Sequence, residues 1–363
     1  MKLGMFMMPV HPPGRHPWET LAEDREAILL ADRLGYCEAF VGEHITDLAE
    51  NVTSCLMFLA SVAHETRNIV LGSGTVNMPN SHPASIAAQV AMLDHMVRGR
   101  FIMGISPGGL MSDAEVFGNY KKDRNEIFLE SINMVLAIWA GSAPYDLQGK
   151  HFNVSTGQTM IPDIGQGTII KPYQLPHPPI VVTAVAPHSK GVTAAAERGW
   201  MPISANFLLP EWVGTHWPRY QEGRKNAGSV ATPAEWRVAK SIFVADDAAT
   251  ATRYGLGPDG PYYFYFKQLV RKLVGFGGRS NLFKLDQSEP DEKITADTVT
   301  NRLVIAGTVD SVVDQILAFR ATTGDFGTLL YACHDWIDPT LGKRSMQLMA
   351  EQVLPRVNAA IGG

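Results

Sequence analysis

The sequence predicts an α/β protein built as a (β/α)8 barrel, and three observations predict it. Short apolar runs alternate with amphipathic stretches along the chain, as βα units of a parallel sheet require. Several of those runs end abruptly in polar or ionisable residues, which in a parallel barrel collect at the C-terminal strand ends where ligands bind. The length, 363 residues, suits a barrel carrying insertions. No Gly-x-Gly-x-x-Gly follows the first run, so an open dinucleotide-binding sheet is not supported.

The strands are expected at 2–8, 37–43, 69–76, 101–106, 180–184, 201–205, 237–244 and 328–333. The second is the most informative: Cys37-Glu38-Ala39-Phe40-Val41-Gly42 ends in Glu43-His44, a carboxylate and an imidazole at a strand end. A histidine there can act as acid or base near neutral pH. Helices are expected at 18–34, 83–96, 125–139, 189–198, 309–322 and 341–357. Gly35 and Gly199 directly follow two of them, where a left-handed cap needs glycine. Asp310 and Asp314 lie at the start of another, where carboxylates favour the dipole. Two segments exceed the minimal barrel. Residues 141–179 are rich in Gly, Pro and aromatics; residues 246–300 carry an aromatic run, a basic helix and a polar stretch. Such segments are usually lids or dimer elements. With no internal repeat, residues 1–363 read as one domain with these two insertions.

Composition narrows the function. Hydrophobic content of 45% and charged content of 18% describe an ordinary globular chain, and the net charge of −5 points to neither nucleic acid nor an anionic membrane as partner. Cys37, Cys55 and Cys333 are too few and too scattered for a disulfide framework or a zinc site, and no His/carboxylate cluster has ligand spacing, so no metal is expected. The N-terminus has neither the basic region nor the long apolar core of a signal peptide, and no run approaches a membrane span. A cytoplasmic protein is expected.

The order of motifs resembles the bacterial luciferase-like flavin monooxygenases. It is carried by Glu43-His44, by Ser81-His82-Pro83, and by the segment from Leu93 to Phe101 containing Asp94-His95 and Arg98-Gly99-Arg100. Ala195-Ala196-Glu197-Arg198-Gly199 and Ala306-Gly307-Thr308 complete it. Gly104-Ile105-Ser106-Pro107-Gly108-Gly109 is most similar to the limonene and diketocamphane monooxygenase branch. The resemblance implies a TIM-like barrel that binds reduced FMN at its C-terminal face, FMNH2 coming from a separate reductase. O2 then adds to the flavin as a C4a-peroxide that oxygenates the substrate. It also implies a homodimer.

Residue by residue, the resemblance makes His44 the catalytic histidine, its alternative being a strand-end cap. Gly74-Thr75 matches the pair whose non-proline cis peptide supports the flavin ring. Asn77 either meets the flavin edge or holds the loop before Pro79. Ser106 stands where luciferase has a reactive cysteine, and Pro107 replaces the arginine that there meets the FMN phosphate. The phosphate then needs other donors, and Ala184, His188 and Ser189 lie where a strand turns into a helix whose free amides suit an anion. Ser189 can alternatively be a plain N-cap. His82 and His95 read as structural. His334-Asp335-Trp336, after the last strand, either lines the pocket or anchors its loop. Met7, Met8, Phe207, Leu208, Leu209, Trp212, Tyr262 and Phe264 suggest a hydrophobic substrate, terpenoid or cyclic. Two rival functions remain: an F420-dependent oxidoreductase on the same barrel, and a non-catalytic flavin-binding partner subunit.

Overall fold

In the computed structural model, which describes residues 1–8 and 10–362, eight strands of the expected kind are present. They are β1 (Lys2–Met7), β2 (Glu38–Val41), β3 (Val70–Ser73), β4 (Phe101–Ser106), β5 (Ile180–Ala184), β6 (Met201–Ser204), β7 (Arg237–Val244) and β8 (Thr328–Cys333). The expected bounds of β4, β5, β7 and β8 coincide with the observed ones. The second strand is shorter than its apolar run, stopping at Val41, before Gly42-Glu43-His44. The third is broken after Ser73, and Val76–Asn77 resumes pairing.

The chain groups into two compact units, Met1–Ala39 with Val182–Gly363, and Phe40–Val181. In the first unit β1 and β8 pair in parallel from Lys2↔Thr328 to Met7↔Cys333, and β7 pairs β8 from Arg237↔Thr328. β7 also pairs β6 (Arg237↔Ile203) and the short strand Ile305–Gly307. Both β7 and β8 are buried along their whole length, as a parallel strand covered on both faces must be. Near the start of these strands Arg237 Nε reaches Glu38 Oε1 at 2.7 Å, a buried ion pair.

In the second unit β3 pairs β4 in parallel (Leu71↔Phe101), and Val76–Asn77 continues along Ile105 and Ser106. The packing there is tight: a Cβ on Gly104 would lie 1.9 Å from the Ser73 carbonyl oxygen. The 141–179 segment contains a two-stranded antiparallel ribbon, Asp146–Gln148 with Asn153–Ser155. The 246–300 segment is largely helical, with Pro261–Val270 holding most of its aromatic run.

Two helices start the same way. Pro17–Arg33 and Pro83–Met96 place proline in the first turn, behind His16 and His82, whose ring nitrogens accept the amides of Trp18 and Ala84. Gly35, after Pro17–Arg33, and Gly199, after the helix Lys190–Glu197, behave as expected where the chain must turn left-handed, with φ 78° and 77°. No helix among the described residues is long and apolar enough to cross a membrane.

Candidate active site

In the second unit the residues after β2 and around β3 and β4 form two adjoining hydrogen-bonded groups. His44 Nδ1 lies 3.0 Å from Asp113 Oδ2, and His44 Nε2 lies 3.5 Å from Glu50 Oε2. Asp113 is held by the amides of Ile45 and Thr46 and by the Thr46 hydroxyl. Burial alone would raise the Asp113 carboxyl, but the hydrogen bonds from His44 and Thr46 outweigh it and hold it below the usual range. Because the Asp113 carboxylate only accepts, it receives a hydrogen bond from Nδ1–H of His44.

The other group centres on Glu43. Its carboxylate accepts the amides of Cys55 (3.0 Å) and Asn77 (2.9 Å), and Asn77 Nδ2 donates to the Glu43 carbonyl. Ser106 Oγ donates to Asn77 Oδ1 at 3.0 Å and accepts from Thr75 Oγ1 at 2.7 Å. The Gly74–Thr75 peptide is cis. Thr75, Asn77 and Ser106 are thus brought together, and both polar atoms of the Asn77 side chain are engaged in holding the strand ends. His82 and His95 are turned to the insertion, donating to the carbonyls of Asn153 and Lys171, and their rings meet Phe152 and Tyr173 edge-on.

In the first unit β5 leads into the helix Lys190–Glu197, with Ser189 at its N-cap. The Ser189 side chain makes no capping hydrogen bond, so its hydroxyl is not spent on the first amides of the helix. Ala184 contributes differently. Its side chain is packed among Val192, Ala196 and Tyr220, and its carbonyl accepts the Ala205 amide, so it anchors the turn. His188 is exposed, at φ 53°, with its amide donating to Thr215 Oγ1 (2.8 Å). Its ring lies 6.2 Å from that of Trp212, whose Nε1 is buried with no partner among the described residues. The unspent Ser189 hydroxyl and the orphaned Trp212 N–H fit an anionic group such as the phosphate of FMN.

Sequence reasoning missed two residues here. Asp113 is 69 positions from His44 and carries no motif. His216 donates from Nε2 to the Ala186 carbonyl (2.8 Å) while Nδ1 meets Ser204 Oγ (2.8 Å), tying down the 185–189 turn. Burial pushes it down to about 4, so it works as a neutral ring. Its only signal was a histidine behind Thr215 in an otherwise polar helix.

Elsewhere in the first unit His11, Glu23 and Asp335 bring ligand-type atoms within 4.8 Å of one another. Both His11 nitrogens are already used, by Asp335 Oδ1 (2.5 Å) and Asp24 Oδ2 (3.1 Å), and Arg15 bridges Glu23 and Asp335. Burial lowers His11, but the two carboxylates overcome it and raise it to about 9, so the cluster is an internally paired ion network.

Comparison with known proteins gives the family of the chain. The family model for luciferase-like monooxygenase matches residues 1–325. The chain is 29% identical over its full length to 4-hydroxyprotoasukamycin monooxygenase of Streptomyces nodosus subsp. asukaensis, covering 94% of that protein. It is 26% identical to limonene 1,2-monooxygenase of Rhodococcus erythropolis, covering 99% of this chain and 87% of that one. Among solved structures, the oxygenating constituent of 3,6-diketocamphane monooxygenase from Pseudomonas putida, a type II Baeyer–Villiger monooxygenase in complex with FMN, superposes with a TM-score of 0.87 at 24% identity, covering 98% of each chain. More remote relatives include a putative F420-dependent oxidoreductase of Mycobacterium tuberculosis, 23% identical over 88% of this chain. The fold is the luciferase-like (β/α)8 barrel that the alternating pattern predicted, and the chain belongs to the luciferase-like monooxygenase family of enzymes.

Proposed function

We propose that this chain is the oxygenating component of a two-component system, which uses FMNH2 from a separate flavin reductase and O2 to oxygenate a hydrophobic small molecule. The substrate class is a terpenoid or cyclic ketone, alkene or aldehyde. When bound, reduced flavin supplies the electrons that activate O2, one oxygen atom going to substrate and the other to water. In the same reading the chain is one cytoplasmic domain, 1–363, with insertions at 141–179 and 246–300, and it pairs as a homodimer.

The observation that carries the reading is the His44–Asp113 pair directly after β2. Asp113 fixes the ring by accepting the Nδ1–H hydrogen bond, and Nε2, 3.5 Å from Glu50 Oε2, is the nitrogen that exchanges a proton with the reacting oxygen. Ser189 and the amides at the start of Lys190–Glu197 hold the phosphate in place of the arginine that Pro107 replaces. Gly74 and Thr75 support the ring, and buried Met7, Leu208 and Leu209 exclude water around an apolar substrate.

The F420-named relatives support a second reading, hydride transfer with F420. One experiment separates the two. Protein is incubated with FMN, NADH, a flavin reductase and 18O2 against a panel of monoterpenes and bicyclic ketones, and in parallel with reduced F420. Label in the product, abolished in His44→Ala, is the expected result. Unlabelled product formed only with F420 would replace the first reading by the second.

A further inference from the structure

In the first unit, polar side chains that no step above uses form an ordered series. Tyr265 Oη donates to Asn206 Oδ1 at 3.1 Å, and Asn206 Nδ2 donates to Ser241 Oγ at 3.0 Å. Ser241 Oγ in turn lies 2.9 Å from Nε2 of His334. Since Asn206 reaches Ser241 as a donor, the hydroxyl hydrogen of Ser241 is left for Nε2, and His334 keeps its own proton on Nδ1. The ring is wedged between Tyr262 and Tyr265, with centroids 4.6 and 4.5 Å away. Burial drives its basicity down to about 3, so it stays neutral.

The series then stops at two complementary atoms. His334 Nδ1 is buried without a hydrogen-bond partner among the described residues, and so is Asp335 Oδ2. The other Asp335 oxygen is fully used, by His11 (2.5 Å) and Arg15 (2.6 Å). One is a donor and the other an anionic acceptor, yet they do not meet. Both residues line the same small cavity, whose wall is completed by Tyr254, Tyr262, Tyr331 and Trp336. It has room for about one water molecule, and its lining supplies the polar partners that a buried water needs.

We propose that this cavity is a single-water site joining His334 Nδ1–H to Asp335 Oδ2, and that it completes a directed hydrogen-bond path from Tyr265 to the buried His11–Asp24–Asp335–Arg15 cluster. The water accepts from Nδ1–H and donates to Oδ2. The path makes His334 a positioning residue: as the Nδ1–H tautomer it accepts the Ser241 hydroxyl hydrogen at Nε2 and leaves Ser241 Oγ to accept from Asn206. This inference stands on the first unit alone and does not depend on which cofactor the enzyme uses.

Two measurements on the full chain test it. In a high-resolution crystal structure, one density peak about 3 Å from both His334 Nδ1 and Asp335 Oδ2 is expected. An empty cavity there overturns the proposal. In 15N-histidine spectra, His334 is expected as the Nδ1–H tautomer, unchanged between about pH 5.5 and 8. Finding Nε2–H in the wild type also overturns it. Ser241→Ala removes the Nε2 partner without touching the cavity, and Nδ1–H should persist, because the water and Asp335 Oδ2 still accept from it. A switch to Nε2–H in Ser241→Ala would show that Ser241 rather than a water on Nδ1 fixes the tautomer, and would overturn the proposal.

Discussion

Nδ1 of His44 lies 3.0 Å from Oδ2 of Asp113, and the same carboxylate accepts the amides of Ile45 and Thr46, the two residues that follow the histidine. One acidic side chain therefore holds both the ring and the backbone carrying it. Such an arrangement leaves the imidazole little freedom to rotate, and it assigns the Nδ1 proton.

His44→Ala should lower kcat by roughly 10²–10⁴, the usual range for a lost acid–base group. KM for the reduced flavin should change little. Asp113→Asn should lower kcat less, and should also displace the pH–rate profile, because the amide no longer fixes the tautomer. Steady-state rates across pH check this, and an unchanged profile in Asp113→Asn would remove Asp113 from the mechanism.

The clasp on the 185–189 turn gives a prediction about the cofactor's charged end. His216 holds the Ala186 carbonyl and Thr215 holds the His188 amide, so both set where the Ser189 hydroxyl stands. His216→Ala should weaken FMN binding about tenfold, roughly 1.4 kcal/mol, while leaving riboflavin, which lacks the phosphate, unaffected. His216→Asn can still donate to the carbonyl and should recover part of the loss. Titration of both flavins against each variant decides it, and equal weakening of the two would point to general loosening.

Much of this molecule was legible because parallel strands buried on both faces are written as uninterrupted apolar runs. Phe101–Ser106 and Thr328–Cys333 show it, bounded in the structure as in the sequence. The polar strand ends were legible for the same reason, since Glu43 and His44 break such a run. What could not be read were partners chosen by the fold. Asp113 sits in a short helix with no spacing to connect it to His44, and the charges around His11 arrive from Asp24 and Asp335, 13 and 324 positions away. Asn77 was expected either to meet the flavin edge or to hold the loop before Pro79, and its sequence position did not show that its side chain is turned to Glu43 and Ser106.

Gly104 tests how much of the β3–β4 contact depends on a missing side chain. Its added Cβ would strike the Ser73 carbonyl oxygen, a backbone atom that cannot swing aside. The Ser73 hydroxyl also bonds to both the amide (2.8 Å) and the carbonyl (2.9 Å) of Gly104, so the two strands are clamped at this point. Gly104→Ala should cost about 3 kcal/mol or more and lower Tm by roughly 5 °C or more. Gly109→Ala, where nothing lies within 4 Å, is the matched control and should leave Tm unchanged. A Gly104→Ala protein as stable as the control would mean that β3 and β4 can separate freely.

Lys240 gives a prediction in the opposite direction. It lies in β7, buried, with Nζ 5.1 Å from the centre of the Phe319 ring and with no hydrogen-bond partner among the described residues. Burial lowers the ammonium from 10.5 to about 7, only weakly opposed by the charge of Glu211. A folded-state pKa below the unfolded one means that folding expels a proton between those pH values. The cost is therefore absent above about pH 10.5 and grows by roughly 1.4 kcal/mol per pH unit as the pH falls towards 7. Lys240→Met keeps the length of the side chain and removes the charge. It should raise Tm, and the gain over wild type should be larger at pH 7 than at pH 9.5. Thermal melts of both proteins across that range measure the difference directly, and a gain independent of pH would show that the amine is solvated in the folded protein.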